Sequence, residues 1–108
     1  MRKKEKEYLI PKSFELGGVT YRVEKTNEIR GSIFGYIQPF KGTVTIADKL
    51  EQNGELITLT EEMKLLTMYH ELTHLIFHHM GETELFGDEK IVELFSNFLL
   101  QYEKSKKY

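Results

Sequence analysis

The sequence predicts an α+β fold, a small antiparallel sheet of hairpins followed by two packed helices, and three observations carry that expectation. Strand-like alternation with tight-turn signals fills the chain up to about Thr60, helical periodicity fills the remainder, and no internal repeat or linker divides the two. A chain of 108 residues is expected to form a single domain, because at this size about two-thirds of the unfolded surface is buried around one core.

The elements follow in order. Ser13-Phe14-Glu15-Leu16 and the run from Val19 to Glu24 alternate about Gly17-Gly18, a two-residue hairpin. Ile33, Phe34, Tyr36 and Ile37 lead into the turn signals Pro39-Phe40-Lys41-Gly42, and Thr43-Val44-Thr45-Ile46-Ala47 returns with period two, which makes a second hairpin. Asn53-Gly54 marks a turn inside a polar loop, and Leu56-Ile57-Thr58-Leu59 reads as a short extra strand. Thr60 is an N-cap, Glu61 and Glu62 suit the positive end of the helix dipole, and Gly81 is a stop, so a first helix is expected from about 61 to 80. Asp88 caps a second helix, in which Ile91, Val92, Phe95, Phe98, Leu99 and Tyr102 recur at helical spacing until a lysine-rich tail. Residues 1–12 and 104–108 read as frayed ends.

Composition removes several classes of function. The absence of cysteine excludes disulfides and thiolate metal sites, fits a reducing compartment, and leaves any metal to His, Asp or Glu. Fifteen Lys and Arg against 17 Asp and Glu leave a net charge of −2, so there is no global case for nucleic acid; the basic residues Arg2, Lys3, Lys4, Lys6, Lys104, Lys106 and Lys107 cluster at the ends, where solvation explains them. The apolar runs Tyr8-Leu9-Ile10 and Leu75-Ile76-Phe77 fall far short of the roughly 20 residues that a membrane helix needs, so no membrane partner is expected and a cytoplasmic location is.

The first helix holds the chemistry. Leu65, Leu66, Met68, Tyr69, Leu72, Leu75, Ile76, Phe77 and Met80 cover most of its circumference, and one narrow stripe, Thr67, His70, Glu71, His74 and His78, stays polar. Within that stripe His70-Glu71-Leu72-Thr73-His74 is the H-E-x-x-H pattern. Histidines at i and i+4 stack on one face and can both direct a nitrogen at one Zn²⁺, while Glu71 points beside the metal as a general base rather than a ligand. By composition alone, about two in a hundred such chains would hold the pattern by chance. Its position in an otherwise apolar helix weighs against that and against a purely structural histidine pair, because two His and a Glu buried there without a partner would be costly.

A third ligand must come from elsewhere. His78 lies about 12 Å along the axis from His70, and the longer pattern with a downstream Gly and a third His is absent, since Phe77 and Met80 stand at those positions. If the second helix folds back antiparallel across residues 81–87, Glu93 comes level with His74, whereas Glu89 comes level with Met80, roughly 6 Å beyond. Asn97, one turn past Glu93, would then be able to hold a ligand's second nitrogen or the Glu93 carboxylate. From periodicity alone Glu93 is equally well a solvated residue beside Lys90, Asn97, Gln101 and Lys104. Tyr69, His78 and His79 are candidates to stabilise an oxyanion, with a hydrogen-bonded core or surface role as the simpler reading of each.

The run from His70 to His79, followed by Glu89-x-x-x-Glu93-x-x-x-Asn97, resembles the ImmA/IrrE type of minimal zincin, and more closely small phage and prophage proteins with that core. The resemblance covers residues 60–102 well and the sheet loosely; Thr73 stands where Gly is common, and no helix-turn-helix or sensor domain accompanies it. It implies a cytoplasmic metallopeptidase in which His70, His74 and Glu93 bind zinc, Glu71 is the catalytic base, and the partner is a protein or peptide substrate. The alternative is a non-catalytic zinc-binding module of phage or mobile-element origin that uses the same ligands to hold a protein partner.

Overall fold

The two strongest hairpin signals build one sheet. In the computed structural model, which describes residues 10–27 and 34–108, β1 (Ser13–Leu16) turns through Gly17-Gly18 into β2 (Val19–Thr26). Both glycines have positive φ, +58° and +79°, which is the backbone a tight two-residue hairpin requires and which side-chain-bearing residues resist. Strand β3 (Gly35–Gln38) passes through a 3₁₀ turn, Pro39–Lys41, into β4 (Thr43–Ala47). Residues 1–9 of the expected frayed N-terminal segment, and Ile33 at the head of the second predicted hairpin, lie outside the described residues.

The architecture is α+β, but its main sheet is mixed where an antiparallel one was expected. The strand order is β1-β2-β4-β3, and β2 runs parallel to β4 from Arg22↔Thr43 to Thr26↔Ala47. Strand β2 is long enough to pair with β1 through its first half and with β4 through its second. Its partner β4 is wholly buried, as a central strand covered on both faces should be. That placement puts β3 outside β4, at the sheet's edge. Alternating side chains look the same in parallel and antiparallel neighbours, so the spacing could not reveal the crossover.

A second, two-stranded sheet of β5 (Lys49–Gln52) and β6 (Glu55–Thr58) turns at Asn53-Gly54, so the expected polar loop is itself a hairpin. It is rooted by Leu50 and Leu59 against Ala47. Helix α1 (Glu61–Met80) begins with the Thr60 hydroxyl accepting a hydrogen bond from the Met63 N–H and ends at Gly81 in the left-handed region. It lies on the sheet, packing Met68 and Leu75 against Tyr21, Val44 and Ile46. A four-residue helix α2 (Thr83–Phe86), not foreseen in the connection, precedes α3 (Glu89–Ser105), whose N-cap Asp88 accepts from the Ile91 N–H. Lys104 and Ser105, expected in the tail, belong to α3, and Lys104 pairs with Glu62 at 2.7 Å, so α3 runs antiparallel to α1. Among the described residues no helix is long and apolar enough to cross a membrane.

Gly35 sets how closely the edge strand approaches α1. A Cβ there would lie 2.7 Å from both the Thr45 carbonyl oxygen and the Thr67 Cγ2, and 3.6 Å from Glu71 Cγ. One of these two obstacles is backbone, which cannot swing aside. Gly35→Ala is therefore expected to destabilise the fold by about 1–3 kcal/mol, the usual cost of overpacking, measured as a lower denaturant midpoint with an unchanged slope. An unaltered midpoint would mean that β3 is free to move away from the helix.

Candidate metal centre

The polar stripe of α1 faces an open cavity of about 760 Å³. Met63, Leu66, Thr67, His70, Glu71 and His74 line it from α1, residues 34–37 from the edge strand, and Glu89, Glu93, Ser96 and Asn97 from α3, with Phe86 and Gly87 at one end. Its apolar shelf, Met63 and Leu66, lies toward the N-terminus of α1 from its imidazoles, His70 and His74.

Three of the lining side chains converge. Among the described residues, His70, His74 and Glu89 form the group whose ligand atoms, one from each, lie within 4.8 Å of one another. The Glu89 carboxylate spans both rings, one oxygen 3.1 Å from His70 Nε2 and the other 3.1 Å from His74 Nε2. A tetrahedral ion with bonds of 2.0–2.1 Å needs donors about 3.3 Å apart, and each imidazole nitrogen already has one of the two Glu89 oxygens close to that distance.

The protonation logic also fits a cation. His74 Nδ1 lies 2.8 Å from the Phe86 carbonyl oxygen, which can only accept, so Nδ1 carries the hydrogen. In the neutral ring the Nε2 lone pair then faces a carboxylate oxygen, an arrangement that calls for a proton or a cation between them. A backbone carbonyl holding the remote ring nitrogen is the usual way to orient a metal-binding histidine. The residues present therefore suit a metal ion.

Glu71 is the buried acid of the site. Only 7% of its surface is exposed, it lines the cavity, and no other described residue hydrogen-bonds its carboxyl. Burial, reinforced by the negative charge of Glu89, raises its pKa from 4.5 to about 7. A carboxyl that exchanges protons near neutrality is suited to general acid–base work.

The structure gathers His70, His74 and Glu71 as the sequence predicts, but it brings Glu89 and not Glu93 against the imidazoles. The reason lies in the connection. The levels inferred from the sequence let residues 81–87 span no distance along α1, whereas α2 carries the chain back so that Phe86 already stacks edge-on to His74, centroids 5.3 Å apart. Glu89, three residues later, arrives where Glu93 was expected, and Glu93 lines the cavity one turn farther on. Asn97 does not hold a ligand: its side-chain amide donates to the Glu93 main-chain carbonyl at 2.8 Å. The carbonyl of Phe86 takes the orienting role, and no pattern of side chains could have announced a backbone atom.

None of the three oxyanion candidates lines the cavity. His79 Nε2 lies 2.6 Å from the Tyr21 hydroxyl on the sheet side of α1, where it ties the helix to the first hairpin. Exposed His78 rests against Phe86 and His79. Tyr69 is half-buried, its pKa raised by desolvation and by the charge of Glu103. No protein-family model, curated protein or solved structure matches the chain.

Proposed function

We propose that the protein is a zinc-dependent peptidase, with His70, His74 and Glu89 holding the metal and Glu71 acting as general base. The observation that carries this reading is the union in one cleft of a possible three-donor group, open to solvent on its Glu89 side, and a largely buried carboxyl, one residue from a donor, that has no hydrogen-bond partner among the described residues. A bound zinc ion supplies Lewis acidity, polarising a carbonyl and a water molecule beside it. Glu71 takes the water's proton as it attacks the carbonyl carbon and returns it to the departing amine nitrogen. Edge strand β3 has one side free of any described strand and lines the cleft, so an extended peptide can align on it through backbone hydrogen bonds.

A second reading has its own support. Leu94, Phe95, Phe98 and Tyr102 are 48–67% exposed along α3, a surface that suits a protein partner, and the zinc site would then serve stability. Metal analysis paired with cleavage of an unbiased peptide library separates the two. The peptidase reading expects about one zinc per chain, lost in His70→Ala and in His74→Ala, together with hydrolysis by the parent. Zinc with no turnover would favour the interaction module, and full zinc occupancy in either histidine variant would remove both.

A further inference from the structure

We propose that the cleft selects an arginine or lysine side chain next to the reacting bond, with Glu93 and Asn97 as the recognising groups; this rests on the peptidase reading above. The antiparallel register places the subsite. Glu89 sits on His70 and His74 while Lys104 meets Glu62, so Glu93 and Asn97 lie across from the stretch of α1 between those points, which presents Leu66 and Met63 to the cavity. A long aliphatic stem can lie over that shelf and carry its charged head to α3.

The head would meet acceptors that no described residue occupies. Among the described residues Glu93 is exposed and has no ion-pair partner, no Lys or Arg lines the cavity, and the lining carboxylates are Glu71, Glu89 and Glu93. Asn97 already donates its amide hydrogen to the Glu93 carbonyl, which leaves its side-chain oxygen to accept. A carboxylate and an amide oxygen on neighbouring turns of one helix face suit a guanidinium, which offers five donors in a planar fork. The Glu71 carboxyl, on a residue only 7% exposed and with no hydrogen-bond partner among the described residues, opens onto the same space.

Recognition can be read apart from turnover in the zinc-loaded Glu71→Gln protein. The probes are fluorescein-labelled ten-residue peptide pools with mixed residues around one fixed position, occupied by arginine or by citrulline, its neutral isostere. Anisotropy titration is expected to show the arginine pool binding about 10-fold more tightly, the effect of a hydrogen bond to a charged group. Adding Glu93→Gln should bring the arginine pool down to the citrulline pool, which itself should not move, and Glu84→Gln on the outer face of α2 should leave the preference intact. Equal binding of the two pools, survival of the preference in Glu93→Gln, or its equal loss in Glu84→Gln would overturn the proposal. If the zinc-loaded parent cleaves neither pool while the Glu93-dependent preference holds, the peptidase reading falls and the recognition stands. Cleavage of both pools without preference would leave the peptidase standing and remove the recognition.

Discussion

Glu71→Gln is expected to retain its zinc while peptide hydrolysis falls about 10²–10⁴-fold, the range that general acid–base catalysis supplies. The substitution keeps the size of the side chain and leaves all three donors in place. The same change should stabilise the metal-free protein. The folded state holds the Glu71 proton up to about pH 7, against an ordinary value of 4.5, so the folded protein loses relative stability as pH rises through that window. At 1.36 kcal/mol per pH unit the loss amounts to about 3 kcal/mol above pH 7. The glutamine variant escapes it, so in chelator the two proteins should unfold alike below about pH 4.5, and the variant's advantage should grow between there and pH 7. Loss of metal in Glu71→Gln would make Glu71 a ligand, and undiminished hydrolysis would remove it as the base.

Glu89→Ala is expected to weaken zinc binding by more than about 100-fold, beyond the 10–100-fold typical of groups that only orient a ligand. It deletes the carboxylate that lies 3.1 Å from both Nε2 atoms. Glu93→Ala should leave most of the affinity, because it removes only a nearby charge on the exposed side of the cleft. Competition with a chromogenic chelator measures both. The opposite pattern would return the third-ligand role to Glu93 and require α2 to unwind when the metal binds.

Local chemistry made much of this molecule legible. The bounds of α1 follow from Thr60 and Gly81, the start of α3 from Asp88, two hairpin turns from Gly17-Gly18 and residues 39–42, and a further turn from Asn53-Gly54. The H-E-x-x-H spacing likewise placed two imidazoles on one face, because a helix brings positions four apart together wherever it lies in the fold. The second sheet was only half visible, since β5 carries a single buried apolar residue, Leu50, and offers little alternation to detect.

What depended on distant parts of the chain was decided by packing. The parallel pairing of β2 with β4 comes from which strand takes the covered centre, and side-chain alternation does not encode it. Which carboxylate meets the histidines was decided by residues 81–87, whose short helix returns Phe86 to His74 and advances α3 along α1 by about one turn, so that Glu89 stands where Glu93 was expected. Periodicity specifies which residues share a face of one helix; the axial level between two helices is fixed by the path of the connection and by how their side chains interlock, and one turn of slip is enough to change which carboxylate meets the histidines.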